Sequence, residues 1–179
     1  MSGLASRGKA PGTVGGPGLF QVDHDGARVA FQRLLRHPIE EVWAAITDPE
    51  QLEVWFMAKV KSETATGTLD MHHISGVHAA GRVLEWSPPR VYEYEWNVES
   101  GPGLPQGEYS IVRWELTPTK EGTLLVLTHR RLTQSTARVF ARGLKVFLDR
   151  LAAHLDGAPL PEPSWLAQAP KPFSTDGNP

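Results

Sequence analysis

Three histidines close to one another, His72, His73 and His78, are the residues in this chain with the most obvious capacity for chemistry. If Ser75-Gly76 forms a two-residue hairpin turn, Ile74 pairs with Val77 and His73 lies across from His78, which brings two imidazoles to about 5 Å on one face. Such a pair can hold a metal, but a protein site also needs a third and fourth ligand, and no HxH, HExxH or carboxylate cluster of recognised spacing supplies them. The expectation is therefore partly exposed structural histidines, with no metal and no cofactor. Adjacent His72 points to the opposite face in either case.

A second set, Glu85, Tyr94, Arg113 and His129, carries the ionisable or hydroxyl groups able to enter an interior, and a hydrolase or cyclase needs at least two of them converging on one substrate. A one-residue slip of register exchanges the faces of every strand, so strand spacing alone does not decide which of them point inward. Serine and histidine are both present, yet no GxSxG elbow, P-loop or dinucleotide fingerprint accompanies them. The chain contains no cysteine, which removes disulfides, thiolate nucleophiles and cysteine-ligated metals. A formal net charge of -2 offers no basic footprint for nucleic acid or an anionic membrane.

These groups must be positioned by a fold, and 179 residues with 40% apolar content suit one domain. Residues 1–23, rich in Gly, Pro, Ser and Ala, read as a flexible tail. Residues 158–179 read as a Pro-rich second tail, in which Trp165, Leu166 and Phe173 are apolar enough to dock on the domain. The N-terminus lacks the apolar stretch of a secretory signal, and no apolar run approaches the ~20 residues of a membrane span, so a cytoplasmic protein is expected.

Between the tails, residues 24–157 are punctuated clearly. Arg28 to Arg36 read as a strand, and Pro38 then opens a helix whose stripe is Ile39, Val42, Trp43 and Ile46. Asp48 caps a second short helix with Pro49 at its first position, Gln51 completing a capping box, and Leu52, Trp55 and Phe56 on its buried side. The period then becomes that of strands, with turns at Gly67, Ser75-Gly76, Pro88-Pro89, Gly101 to Gly107 and Glu121-Gly122 separating five or six runs. Tyr92, Tyr94 and Trp96 share one face, opposite Glu93 and Glu95; Val112, Trp114 and Leu116 oppose Ile111, Arg113 and Glu115.

A helix from about Ser135 to Leu155 repeats Phe140, Leu144, Phe147, Leu148, Leu151 and Leu155 at steps of three and four. At the standard rise it is about 30 Å long, enough to cross a small sheet, and it has no other apolar partner to cover it. Its charges Arg138, Arg142, Lys145 and Arg150 read as a solvated face. The fold class is α+β: a curved antiparallel sheet of six to seven strands, two short helices and one long C-terminal helix. Between sheet and helix, Trp55, Tyr92, Tyr94, Trp96, Trp114, Leu144, Phe147, Leu148 and Leu151 form the wall of a pocket, or else fill the core. The long segment from Glu99 to Gly107 is a lid or a solvated loop.

That order of elements, with Val42-Trp43-Ala44-Ala45-Ile46-Thr47-Asp48-Pro49-Glu50, Gly81-Arg82-Val83-Leu84-Glu85-Trp86, Tyr94-Glu95-Trp96, Gly122-Thr123 and Phe147-Leu148-Asp149-Arg150-Leu151, resembles the START-like, birch-pollen-allergen-like superfamily. The closest likeness is to the branch of the activator of Hsp90 ATPase C-terminal domain. The resemblance implies a helix-grip fold and a module that binds a hydrophobic small molecule without catalysing a reaction. It also admits a chaperone-modulating or regulatory protein partner, met through the outer face of Glu93, Glu95 and Arg113, or a polyketide-cyclase-like or hydrolase-like enzyme working in the same cavity with Glu85, Arg113 and His129. Two departures stand out: Leu144 follows Gly143 where such chains often carry Trp, and His72, His73 and His78 occupy a strand pair expected to be less polar.

Overall fold

The computed structural model describes residues 19–23, 25–63, 67–101 and 103–166. Eleven elements follow in chain order: β1 (Leu19–Asp23), β2 (Gly26–Leu35), α1 (Ile39–Thr47), α2 (Pro49–Trp55), β3 (Ala58–Glu63), β4 (Thr68–His73), β5 (His78–Ser87), β6 (Val91–Val98), β7 (Glu108–Thr119), β8 (Gly122–Leu132) and α3 (Gln134–Leu155). The eight strands form one antiparallel sheet in the order β1-β2-β8-β7-β6-β5-β4-β3. The two short helices lie between β2 and β3 in sequence, and α3 packs along the same face as they do.

The sheet has one strand more than the six to seven expected. The addition is β1, drawn from the segment read as tail: it pairs with β2 from Leu19↔Ala30 to Asp23↔Gly26, while Leu19, Phe20 and Val22 stay exposed. An edge strand held by its backbone ladder buries little, so it leaves no periodic trace. The rest of the N-terminal tail, residues 1–18, lies outside the described residues, as does Phe173.

Alternation decides what faces the helix. On β2, Ala27, Val29, Phe31, Arg33 and Leu35 are buried in turn. Arg33 is the polar exception, with its Nη1 donating to the Gln32 carbonyl at 2.9 Å and its Nη2 lying 3.8 Å from Asp149 of α3. On β8, Leu125, Leu127 and His129 point inward, and a bulge opposite Ala27 and Val29, with Arg131 at φ 62, restores Leu132 to the same side.

Local signals place the helices as expected. Asp48 accepts from the Glu50 N–H at 2.8 Å ahead of Pro49, although Gln51 pairs with His154 of α3 at 3.1 Å instead of closing a capping box. Thr133 caps α3 by accepting from Thr136 N–H, and is itself held by Glu108, which accepts from its N–H and hydroxyl at 3.1 and 3.0 Å. Gly157, at φ 64, ends α3. At the other end of β8, Gly122 has φ 135, and a Cβ there would lie 2.1 Å from the Leu35 carbonyl oxygen.

One helix charge is not solvated. Arg150 is buried, its Nε donating to the Trp55 carbonyl at 2.7 Å, Nη2 to that of Val54 at 3.1 Å and Nη1 to that of Pro161 at 2.6 Å. This guanidinium joins α3 to the end of α2 and to the segment that follows α3.

Candidate ligand cavity between sheet and helix

Because α3 crosses the sheet at the width of its aromatic side chains, a space of about 430 Å³ remains between them. That volume lies in the range of small-molecule sites. From the sheet side Tyr94, Trp96, Val112, Trp114, Leu127 and His129 border it. From the helix side Phe140, Gly143, Leu144, Phe147 and Leu148 do so, and Trp55 and Phe56 close one end. The rings meet edge to face: Trp55 and Trp114 at 6.5 Å and 85°, Phe56 and Phe147 at 4.9 Å and 66°, Trp96 and Phe140 at 5.4 Å and 83°. Edge-to-face contact fixes the relative orientation of these rings and is favourable beyond the area it buries.

Seven of the nine residues expected at the wall, Trp55, Tyr94, Trp96, Trp114, Leu144, Phe147 and Leu148, border this space. Tyr92 does not: it faces a separate gap of about 20 Å³ toward α1 and α2, where its hydroxyl lies 3.2 Å from Ser62 Oγ. Leu151 is fully buried in the core among α3, the sheet and the short helices. One helical turn past Phe147 the sheet and α3 have closed on each other, which spacing along a helix cannot reveal.

Of the three polar candidates, His129 alone reaches the cavity. Its Nε2 lies 2.7 Å from Ser110 Oγ on β7, and that hydroxyl donates to the Trp96 carbonyl at 2.9 Å. With the one hydroxyl proton committed to Trp96, Nε2–H is the donor to Ser110 and Nδ1 carries the lone pair. Burial pushes the imidazole down to about 3, so it is neutral at physiological pH.

Glu85 and Arg113 turn out to sit on the opposite face, a correction that follows from the pleat: Arg113 lies between the inward residues Val112 and Trp114 and must point outward. There Arg113 donates to Glu85 at 2.7 Å and Glu93 at 3.3 Å and lies 3.2 Å from Glu115, while Arg130 meets Glu93 at 3.0 Å. The hydrogen bond to Glu85, followed by those to Glu115 and Glu93, holds the guanidinium firmly charged.

The histidine hairpin is also displaced by one residue from its expected register. The His73 N–H bonds the Val77 carbonyl at 2.9 Å around a wider loop with Gly76 at φ 88, so His72, and not His73, pairs with His78. A one-residue slip reverses the faces. His73 therefore points into the cavity, 5.5 Å from Phe56 and 5.4 Å from Phe147, and its Nδ1 accepts from the Ser75 N–H at 3.1 Å. Its buried Nε2 has no hydrogen-bond partner of good geometry among the described residues. Burial lowers this ring to about 4 against a smaller opposing pull from the Phe56 carbonyl, with the Arg150 charge adding to the depression.

Two further walls were not among the expected cavity residues. Trp165, from the segment after α3, lies 5.5 Å from His73 and 6.3 Å from Phe147 and borders the cavity, so that part of the Pro-rich tail is docked. Leu104, from the loop between β6 and β7, is buried beside Ala79 and Val98 and closes the other end. Aperiodic Pro- and Gly-rich stretches give no facing signal, and only the isolated apolar residue within each hints at docking.

Comparison with known proteins agrees with this architecture. A family model described as activator of Hsp90 ATPase homolog 1-like protein matches residues 36–156. Among solved structures, protein MLL2253 from Mesorhizobium loti is 28% identical, with 74% of this chain and 99% of that one aligned at a TM-score of 0.65. CalU16 from Micromonospora echinospora is 26% identical over 84% and 88% of the two chains, at a TM-score of 0.65. The protein encoded by gene BPP1335 of Bordetella parapertussis is 28% identical over 93% and 86%, at 0.62. No curated protein sequence matches the chain.

Proposed function

The chain belongs to the activator of Hsp90 ATPase homolog 1-like family, and we propose that it is a non-catalytic module that binds a neutral hydrophobic small molecule between the sheet and α3. The observation that carries this reading is the aromatic cavity of about 430 Å³ whose polar groups are few and uncharged. Both imidazoles at its edge are depressed by burial to about 3 and about 4, so neither offers a charge to an anion at pH 7. Burial of apolar surface would supply the affinity, and the buried His73 Nε2–H, which among the described residues meets only the poorly aligned Phe56 carbonyl, would favour a ligand carrying one hydrogen-bond acceptor, such as a carbonyl or ether oxygen.

Catalysis is the weaker reading. Ser110 Oγ accepts from His129, the reverse of the donation that activates a serine nucleophile, and the carboxylates nearest Arg113 lie on the far face of the sheet.

A ligand of about 20 heavy atoms at roughly 0.3 kcal/mol per atom binds in the tens of micromolar, which sets the range of the test. Intrinsic tryptophan fluorescence is to be followed while a neutral flavone is titrated to ~100 µM, with Leu144→Trp as the blocked variant. Quenching that saturates in the parent and vanishes in a folded Leu144→Trp protein supports the reading. Quenching of equal strength in both, or none in either, rejects it.

A further inference from the structure

On the outer face of the sheet, away from the cavity, Asp70, His72 and His78 converge. Asp70 and His72 are two residues apart on β4 and so share a side, and His78 opens β5 directly opposite His72. The two imidazoles stack with centroids 4.1 Å apart and planes 6° from parallel. Both turn Nε2 toward the same carboxylate: His78 Nε2 is 2.5 Å from Asp70 Oδ1, and His72 Nε2 is 3.4 Å from Oδ2. One ligand atom from each residue lies within 4.8 Å of the other two.

We propose that Asp70, His72 and His78 form a binding site for a divalent transition-metal ion. An ion held at roughly 2.0–2.2 Å by nitrogen and oxygen keeps its ligands about 3–3.5 Å apart, a span these exposed side chains reach once the two stacked rings rotate so that both in-plane Nε2 lone pairs point at the ion. Two imidazoles and one carboxylate suit Zn²⁺, Ni²⁺ or Cu²⁺ and not Mg²⁺ or Ca²⁺, which prefer all-oxygen shells. In each neutral ring the proton that now faces Asp70 from Nε2 moves to Nδ1, so Nε2 presents its lone pair to the metal. The side chains of His72 and His78 are more than half exposed, which leaves the remaining coordination positions to water.

Opposing charge comes from β3, where Lys59 pairs with His72 and Lys61 with Asp70 on the same face. Arg82, two strand steps beyond Ala80 on β5, is neutralised by Glu95 of β6 at 2.6 Å. Because the lysines are exposed, their repulsion is screened by salt, and zinc affinity should rise as ionic strength increases from low values.

The test is titration of Zn²⁺ into the full-length, chelator-treated protein against a chromogenic zinc chelator of micromolar affinity. One equivalent should bind, and loss of a ligand should weaken it at least as much as the 10–100-fold typical for loss of a supporting residue. His72→Ala and His78→Ala should therefore each cost more than about tenfold. His73→Ala, which alters the cavity side, should leave zinc binding unchanged. The side chains of His72 and His78 are exposed, so circular dichroism should report an intact fold in both of their variants. Failure of the parent to compete for zinc, or retention of its affinity by the His72→Ala/His78→Ala double variant, overturns the proposal. So does loss of binding in His37→Ala alone, since His37 with Glu41 and Asp156 is the other histidine–carboxylate cluster of the described residues.

Discussion

The Arg150 guanidinium donates through Nε to the backbone carbonyl of Trp55 at 2.7 Å, so the residue that ends α2 and closes the cavity is held from behind by the helix that forms the cavity's other wall. Its two other hydrogen bonds, to the Val54 and Pro161 carbonyls, satisfy helix-end and loop acceptors that have no intrahelical partner. A buried cation is tolerable here because each of its three nitrogens donates to a carbonyl oxygen.

Replacing Arg150 with Met keeps most of the volume and strands three carbonyls. The expected loss is about 2–4 kcal/mol, read as a lower midpoint in urea denaturation. Arg150→Lys should recover only part of it, since a single ammonium cannot reach acceptors arranged for a fork.

Acid should weaken the fold before the carboxylates titrate. His129 and His73 have folded-state values of about 3 and about 4, below the ~6.5 of an unfolded histidine, so the unfolded chain takes up protons that the native state refuses. Stability is then complete above about 6.5 and falls as pH drops toward those values. At pH 5 the deficit is about 1.5 units for each ring, or roughly 2 kcal/mol apiece. His37 works in the opposite sense. Desolvation lowers it, but hydrogen bonds to Asp156 and Glu41 outweigh that and leave it raised, so it adds some stability as pH falls. Urea midpoints at pH 7 and pH 5 should differ clearly in the parent and less in His129→Phe; equal differences in both would refute the assignment.

Two glycines should respond oppositely to alanine. At Gly122 the left-handed φ of 135 and the 2.1 Å approach to the Leu35 carbonyl leave no room, so Gly122→Ala should cost more than about 2 kcal/mol. Gly143 lies inside α3 with nothing within 4 Å of a built Cβ, so Gly143→Ala should add about 0.5–1 kcal/mol. Thermal melts of the two variants check both signs.

Trp165 borders the cavity from the C-terminal segment without belonging to any long element, so its contacts can open more easily than those of Trp55 or Trp114. Stopped-flow fluorescence with an apolar ligand should show faster association and much faster dissociation in Trp165→Ala. Unchanged rates would mean that the ligand does not pass this way.

The elements were legible because each carries its own short-range cause. Asp48-Pro49 starts a helix by capping chemistry, Tyr92 to Trp96 and Val112 to Leu116 alternate with the pleat, and Phe140 to Leu155 repeat at helical steps. From these the antiparallel sheet, the long helix and most of the aromatic wall follow. The histidine loop was misread because a two-residue and a wider turn differ by one residue, and that residue decides whether His73 or His72 meets the solvent. Arg150 was misread because a charge at a helix position looks solvated until the carbonyls that receive it are known.

Sequence by itself therefore determined the kind of surface this protein builds: one aromatic sheet face and one amphipathic helix that must cover it, with no thiol and no basic patch. Tertiary structure alone decided where that covering is incomplete. It admitted His129 and Trp165 to the cavity, sent Glu85 and Arg113 to the far side, and gathered Asp70, His72 and His78 on one carboxylate. The reason is physical: periodicity depends on neighbours two to four residues away along the chain, whereas a cavity or a ligand cluster depends on register between strands and on contacts between residues far apart in sequence.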